Sequence, residues 1–319
     1  MYSRKTYYGG GVIFDSELQL PGIAAISGQN PTATVRIGPL PVAPSPRLTS
    51  RNWFHASPGR LRFLVPEIGQ CLVTNGREVL IEPASGASDS DLRLQLLEPA
   101  FGGLLHQRGI LPLQASMVRV DNCYVAFTGD AGCGKSTQAA ILHLAGFPLA
   151  GDDLCPVCVS PDATIRAGFG FPALKLRPDA LQALHIERVD LPDARDDAGH
   201  EKYEVSPTSP GSPDRLPLGA IYLLEDAQDR DAVGIFQVRG QRCLPYVLRH
   251  TCRYCFVDGL GCTLRHFHAA MQLARSVRIF RLRRRRGVEY FGETALLLAH
   301  HWARLKLRDT SADSQSAAA

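Results

Sequence analysis

The stretch that most constrains the fold runs from residue 124 to residue 159 and reads YVAFTGDAGCGKSTQAAILHLAGFPLAGDDLCPVCV. Its apolar start, residues 124–128, predicts a buried strand, and residues 137–145 have the pattern of a helix. A second strand is predicted to begin at Phe147, after Gly146 ends the helix in a left-handed conformation. The unbroken order of strand, glycine loop, helix and strand predicts an α/β domain with a phosphate-binding site.

The glycine loop carries the chemistry of that site. It fits the pattern G-x-x-x-x-G-K-[ST], in which backbone N–H groups hold phosphate oxygens, the lysine reaches the β- and γ-phosphates and the serine hydroxyl binds Mg²⁺. We therefore predict bound ATP and Mg²⁺, with Ser136 as a metal ligand. The residues predicted to bind the nucleotide are Gly129, Asp130, Ala131, Gly132, Cys133, Gly134, Lys135, Ser136 and Thr137.

Two adjacent carboxylates, Asp152 and Asp153, follow the second strand. Beside a Mg²⁺-bound nucleotide, such a pair predicts one carboxylate directed at the metal and one directed at the substrate. A plain surface turn is the alternative, because Gly-Asp-Asp is also a favourable turn sequence.

Together these residues resemble the catalytic domain of the HPr kinase/phosphorylase family and its relatives in peptide-modification gene clusters. Those proteins share the strand, a GDSGxGKS-type loop, the helix, the next strand and an Asp-Asp pair. The resemblance implies an α/β P-loop kinase domain of the HPr kinase C-terminal type, preceded by a β-rich accessory domain. It further implies that Lys135 is catalytic, that Asp152 takes the proton from the acceptor hydroxyl, and that Asp153 helps to hold Mg²⁺.

One position departs from the family pattern. The family usually has a histidine fifteen residues before the first loop glycine, where this chain has Gln114 in the sequence Leu-Gln-Ala-Ser. Glutamine donates a hydrogen bond to a phosphoryl oxygen but cannot carry a proton. We expect Gln114 to support forward transfer and to leave the reverse, phosphorolytic reaction weak.

Three further basic residues are candidates for substrate or phosphate contacts. Lys175 lies within a segment, residues 171–176, that resembles the Pro-x-Leu-Lys/Arg-Leu segment of the same relatives, and Arg177 directly follows it. Lys202 resembles a lysine found at this point in them. A solvated face is the alternative for Lys175 and Arg177. Residues 187–217, rich in turn formers and charge, are interpreted as a lid or a disordered loop.

The chain divides by composition into three parts. Short alternating apolar segments separated by Pro, Gly and Asn, with Asn75-Gly76 as a hairpin signal, predict a β-rich domain over residues 1–95. Residues 96–308 form the predicted catalytic domain, and residues 309–319 a polar, disordered tail. The resemblance implies that the first domain docks the substrate, and a structural cap on the catalytic sheet is the alternative.

Composition limits partners and location. The chain has 319 residues and a net charge of +4, which is too small to indicate a nucleic-acid partner, and no apolar run approaches the length of a membrane span. The first ten residues lack the apolar core of a signal peptide, so we expect a cytoplasmic protein without a membrane partner. A homo-oligomer is compatible with these features.

The cysteines and a run of four arginines need separate interpretation. The pairs Cys155/Cys158 and Cys252/Cys255 have a metal-ligand spacing, but free cysteines are commonly buried, so we expect them not to bind zinc. Cys133, in the loop, is interpreted as incidental to phosphoryl transfer, although loop N–H groups and Lys135 could lower its pKa and make it sensitive to oxidation. The run Arg283–Arg286 is interpreted as a solvated strand end, with attraction of an acidic peptide or nucleotide as the alternative.

The function predicted from the sequence is an ATP-dependent serine/threonine kinase acting on a peptide or small protein. A lasso-type precursor peptide is the narrowest candidate, and it rests on the resemblance alone. A nucleotide-binding switch without phosphotransfer and a small-molecule kinase are the alternatives.

Overall fold

The computed structural model describes residues 4–20, 23, 25–41, 48–160, 162–171, 173–188, 191, 193–195, 201–206, 214–227, 233–305 and 307. These residues form a mixed α/β structure with several sheets, as the sequence predicted at the level of fold class. The predicted tail, residues 309–319, lies outside the described residues.

The first sheet is built by the β-rich part of the chain. Its strands are joined in the order β1-β2-β3-β7-β6-β5-β4, antiparallel except where β3 pairs with β2 and β7. The Asn75-Gly76 hairpin is confirmed, since both residues have positive φ angles of 51° and 62° between antiparallel β6 and β7. The strands are β1 (Lys5–Gly9), β2 (Val12–Ser16), β3 (Ala33–Ile37), β4 (Phe54–Ser57), β5 (Arg60–Val65), β6 (Gly69–Thr74) and β7 (Glu78–Pro83).

A long helix, α1 (Asp89–Arg108), covers this sheet. Ser88 and Asp91 form a capping box at its start, and Gly109, with φ of 73°, ends it. Leu96, Phe101 and Leu104 are fully buried and share one apolar core with sheet residues. The proposed boundary between residues 95 and 96 falls inside this helix, and the division into domains stays a prediction.

The second sheet carries the glycine loop that was predicted to bind phosphate. Within the described residues it has nine strands, joined as β11-β9-β10-β17-β13-β12-β8, with β19 paired to β17 and β18 paired to β19. Strands β10, β17 and β19 are parallel, whereas β9 lies antiparallel between β10 and β11. The strands are β8 (Leu111–Leu113), β9 (Ser116–Val120), β10 (Cys123–Thr128), β11 (Leu149–Gly151), β12 (Cys155–Val159), β13 (Ile165–Ala167), β17 (Leu216–Asp226), β18 (Gly234–Val238) and β19 (Arg278–Arg284).

Five more helices complete the described chain, and none of its helices is both long and apolar enough to cross a membrane. Helices α2 and α6 pack on one another, as do α4 and α5. The bounds are α2 (Lys135–Leu144), α3 (Pro178–Ala183), α4 (Cys243–Arg249), α5 (Thr263–Ser276) and α6 (Phe291–Leu305).

A small third sheet corrects the interpretation of residues 187–217 as one long loop. It consists of β14 (Leu174–Leu176), β15 (Asp193–Arg195) and β16 (Glu201–Val205), in the order β14-β16-β15. Tyr203 and Glu204 are buried in β16, which explains why a segment rich in turn formers still contains strands. Residues 196–200 and 207–213 lie outside the described part.

Candidate functional site

The site lies at one edge of the second sheet. Since β11 is antiparallel to β9, and β9 to β10, the carboxyl ends of β11 and β10 meet at the same edge as those of β17 and β19. The phosphate loop follows β10, and the Asp-Asp pair follows β11. The carboxyl edge of parallel strands is where ligands bind in open α/β sheets.

The loop has the backbone that its glycines allow. Gly132 and Gly134 have φ angles of 77° and 83°, a conformation that favours glycine, and Gly134 directly precedes α2. A Cβ built on Gly132 finds no atom nearer than Arg177 Nη1 at 3.9 Å, so this side of the loop is open. The Lys135 ammonium folds back onto the loop and donates to the carbonyl oxygens of Gly129 and Asp130 at 3.0 and 3.1 Å. The conformation and the free space together suit a phosphate group.

Asp152 is buried directly behind the loop, with 3% of its surface exposed. Its Oδ1 accepts hydrogen bonds from Ser136 Oγ at 3.1 Å and from Ser116 Oγ at 2.5 Å, and its Oδ2 accepts from the backbone N–H of Lys175 at 3.2 Å. Burial raises the pKa of Asp152, and the adjacent charge of Asp153 raises it further, while the three hydrogen bonds oppose the shift.

Asp153 has the opposite electrostatic environment. It has a φ of 60°, and its Oδ2 forms an ion pair with Lys175 Nζ at 3.0 Å. Burial alone would raise the pKa of Asp153, but the positive charges of Lys175 and Lys202 outweigh it and lower the pKa. The pKa values of these two neighbouring carboxylates are thus shifted in opposite directions. Such a difference separates the roles of paired acids.

A cavity of about 870 Å³ opens in front of the loop and brings most of the predicted residues together. Asp153 lines it, whereas Gly129, Asp130 and Asp152 do not. The other predicted site residues in its wall are Gln114, Ala131, Gly132, Cys133, Gly134, Lys135, Ser136, Thr137, Lys175, Arg177 and Lys202.

Gln114 is held by its backbone. Its N–H donates to the carbonyl of His250 at 2.8 Å, and its own carbonyl accepts from Thr128 Oγ1 at 2.8 Å. The side chain is exposed and lies in the cavity wall. The position is therefore anchored to β10 on one side and to the end of α4 on the other.

The first sheet and α1 form another part of the cavity wall, which the sequence did not indicate. Trp53 and Val65 line the cavity, as do Glu98 and Arg253. Arg253 Nε donates to Glu98 Oε2 at 3.0 Å, and the guanidinium carbon lies 5.7 Å from the Trp53 ring centroid. Because residues 98 and 253 are distant in the chain, no local pattern could have paired them.

The interpretation of Arg283–Arg286 as a solvated strand end was wrong for most of the run. Arg284 is buried, with 3% exposed, and it also lines the cavity. Arg283 pairs with Glu225 at 3.3 Å and Arg285 with Glu293 at 3.6 Å. Only Arg286 has a mostly exposed side chain, at 89%. The acidic partners come from other elements, which is why four adjacent charges alone were misleading.

The Cys133 thiol does not gain a lowered pKa from the loop. Burial raises the pKa of the Cys133 thiol, and the nearby positive charges of Lys135 and Arg284 only partly oppose the shift. A neutral thiol in the loop gives no support for a reactive cysteine.

The donor set at the carboxyl edge fits Mg²⁺. Ser136, Asp152 and Asp153 supply a hydroxyl and two carboxylates, the hard oxygen ligands that Mg²⁺ uses with substrate phosphates. Across the described ranges, no group of three or more His, Cys, Asp or Glu residues is arranged to hold a metal by itself. A site with few protein ligands is the usual one for Mg²⁺ bound together with a nucleotide.

Comparison with known proteins gives distant structural similarities. No family model matches the chain, and no curated protein matches it. Among solved structures, the chain is similar to the structure of the Hpr(Ser) kinase/phosphatase from Coxiella burnetii, at 12% sequence identity and a TM-score of 0.34. The match covers 63% of this chain and 95% of the other chain.

Proposed function

We propose that this chain is an ATP-dependent kinase that transfers the γ-phosphoryl group to a serine or threonine hydroxyl of a peptide or small protein. The observation that carries the proposal is the meeting of a phosphate loop and an Asp-Asp pair at one cavity, where Ser136 contacts Asp152 and Asp153 faces the cavity. Phosphoryl transfer needs these parts: a phosphate cradle, a metal site and a carboxylate for the acceptor hydroxyl.

Within this proposal, the contacts favour an exchange of the roles that the resemblance implied for the two aspartates. Asp152 lies outside the cavity wall and contacts the Ser136 hydroxyl, so Ser136 and Asp152 would hold Mg²⁺, which when bound would neutralise charge on the phosphates. Asp153 lines the cavity, and the pKa of Asp153 is lowered by Lys175 and Lys202 despite burial. Its place in the cavity wall, rather than its pKa, suits Asp153 to accept the proton of an acceptor hydroxyl, since a lowered pKa weakens a base.

The cationic side chains have distinct tasks. Lys135, released from its carbonyl contacts, reaches the β- and γ-phosphates of ATP. Lys175 holds Asp153 at 3.0 Å and so fixes the base at the cavity wall. Arg177 and Lys202 lie in the same wall, where they contribute positive charge near the transferred group.

A macromolecular acceptor is favoured by the size and construction of the cavity. Its wall includes Trp53 and Val65 from the part of the chain that forms the first sheet, and a small metabolite would not need this surface. The run Arg283–Arg286 does not add to this argument, because its charges are largely paired or buried. A lasso-type precursor peptide is the narrowest candidate within the class.

The test is mass spectrometry of candidate peptides incubated with the protein and Mg²⁺–ATP. We expect the addition of one phosphoryl group to a serine or threonine, lost in Asp153→Asn and in Lys135→Ala. Phosphorylation of a sugar or metabolite with all peptides untouched would reject the peptide acceptor. Nucleotide binding with no transfer to any acceptor would reject the kinase in favour of a nucleotide-binding switch.

A further inference from the structure

Arg284 is a buried cation in the wall of the proposed nucleotide cavity. It is the last residue of β19, parallel to β17, and its side chain lies beside the phosphate loop. One Nη group donates to the carbonyl of Cys133, and the other donates to the carbonyl of Arg285 at 3.3 Å. The guanidinium carbon also lies 4.1 Å from the centroid of the Phe291 ring.

These contacts leave the positive charge poorly balanced. The carboxylate contact recorded for Arg284 is Asp226 Oδ1, 3.9 Å from Nη1, and the Asp226 side chain is 41% exposed. Within the described part of the chain, Arg284 Nε has no hydrogen-bond partner. Burial lowers the pKa of Arg284 in spite of Asp226, although the group stays charged. A buried charge is costly unless it is paired, so the arrangement is incomplete without an anion.

The position of the guanidinium indicates which anion completes it. A Cβ built on Gly134 would lie 3.0 Å from Arg284 Nη2, so this group lies against the part of the loop that would hold phosphate. The planar guanidinium fork matches phosphate oxygens better than a point charge does.

We infer that Arg284 is a phosphate-binding residue that positions the loop through the Cys133 carbonyl and takes its countercharge from the polyphosphate of the nucleotide. This inference rests on the proposed function, because it uses the same loop and cavity. It assigns a role to a residue from a strand 151 positions away from Cys133.

The experiment compares Arg284→Met with wild-type protein by titration calorimetry, using inorganic tripolyphosphate and ATP, each with Mg²⁺. Methionine keeps an apolar stem beside Phe291 and removes the charge. We expect both ligands to bind at least about tenfold more weakly, since a charge-assisted bond to phosphate is lost. Arg281→Met is the matched control, because Arg281 lies on the same strand, pairs with Glu225 at 2.7 Å and is not in the cavity wall.

Thermal unfolding without ligand separates a binding role from a structural one. Removing an unbalanced buried charge should leave the melting temperature of Arg284→Met at or near that of Arg281→Met. The increase in melting temperature that tripolyphosphate causes in wild-type protein should be lost in Arg284→Met. Arg284→Lys keeps the charge and loses the planar guanidinium, so it should retain part of the affinity for tripolyphosphate. It replaces Arg284→Met in the experiment if the methionine variant does not fold.

Three results would overturn the inference. One is tripolyphosphate binding within about twofold of wild type in the folded variants. Another is weaker ATP binding with unchanged tripolyphosphate binding, which would indicate that Arg284 contacts the base or ribose of ATP. The third is loss of affinity only in proportion to a lower melting temperature of the free protein. Failure of the kinase proposal would look different, since wild-type protein would bind tripolyphosphate and transfer no phosphoryl group.

Discussion

The Ser136 hydroxyl donates a hydrogen bond to Asp152 Oδ1 across 3.1 Å, which joins the phosphate loop to the residue that follows β11. If both residues hold Mg²⁺, Ser136→Ala and Asp152→Asn should share one phenotype: a higher Mg²⁺ concentration for half-maximal activity, partly restored at high Mg²⁺. Asp153→Asn should instead lower kcat by about a hundredfold or more at every Mg²⁺ concentration, because it removes the proposed base.

Steady-state rates measured over a range of Mg²⁺ concentrations check this prediction. Asp153→Asn rescued by Mg²⁺, together with Asp152→Asn inactive at all concentrations, would restore the assignment that the family resemblance implied.

Lys135→Ala should abolish nucleotide turnover. The variant removes the charge expected at the β- and γ-phosphates, so kcat/KM for ATP should fall by about a hundredfold to a thousandfold. Phosphate release or transfer under single-turnover conditions measures the effect. Lys5→Ala, an exposed lysine of the first strand, is the control. Normal ATP affinity and turnover in Lys135→Ala would mean that this loop is not a phosphate site.

Gly134, in the loop, and Gly146, just after α2, should differ in tolerance to substitution. A Cβ on Gly134 would lie 2.4 Å from Phe291 Cζ, whereas one on Gly146 meets no atom within 4 Å. Both residues have positive φ angles, so Gly146→Ala should cost about 1–2 kcal/mol for backbone strain alone. Gly134→Ala should cost more and weaken ATP binding, measured by urea unfolding and calorimetry.

A second substitution tests the cause. Adding Phe291→Leu to Gly134→Ala should recover part of the lost stability, because the shorter side chain makes room for the new methyl group. No recovery would locate the cost in the backbone rather than in the contact with Phe291.

Gln114→His should change the reverse reaction more than the forward one. Histidine restores a group that carries a proton at neutral pH, at a position whose backbone is already anchored to Thr128 and His250. We expect reverse phosphorolysis to increase and the pH profile of the rate to shift, with forward transfer changed by less than about tenfold. Gln114→Asn, which carries no proton, is the control. Identical forward, reverse and pH behaviour in both variants would make position 114 structural.

Folding stability should fall in mildly acidic solution, and His106 should contribute to the fall alongside His250, whose pKa burial also lowers to about 4. His106 Nε2 lies 3.0 Å from the Cys252 carbonyl, and burial lowers the pKa of His106 from 6.5 to about 4. The unfolded chain therefore binds a proton between pH 6.5 and pH 4 that the folded protein does not. The stabilisation is complete above pH 6.5 and is lost as the pH falls toward 4, by about 3 kcal/mol at most.

Urea unfolding between pH 4.5 and 7 measures this dependence. His106→Gln should show a smaller decrease in the free energy of unfolding than wild type, while His268→Gln, at an exposed position of α5, should match wild type. An unchanged slope in His106→Gln would assign the acid sensitivity to other groups.

The sequence predicted the parts of the site that are contiguous in the chain. The phosphate loop with α2, and the Asp-Asp pair after β11, follow from local patterns of glycine, apolar and acidic residues. The β-rich first part of the chain and its Asn75-Gly76 hairpin were predicted for the same reason. Asp226 could have been noticed as well, since it is the last residue of an apolar strand that ends in Glu-Asp.

The remaining site residues depend on contacts between distant segments. Arg284 meets Cys133, and Arg253 meets Glu98, only because β19 and the segment after α4 pack against the loop and α1. The strand that contains Lys202 was not predicted, because its neighbours in the sequence favour turns. Burial of Tyr203 and Glu204 outweighs this local preference for turns. Charge runs such as Arg283–Arg286 carry no information on which members are buried.

Strand β9 separates the loop from the aspartate pair. It lies between β10 and β11, so the phosphate loop and the aspartate pair start two strand widths apart, roughly 10 Å. Its first residue, Ser116, bonds to Asp152 at one end of that span, and Gln114 lies just before it. Insertion of a single residue near Ser116 would turn alternate side chains to the opposite face and shift both groups together. Strand β9 thus acts as a spacer, because its position between β10 and β11, rather than the chemistry of its side chains, keeps the loop and the aspartate pair at this separation.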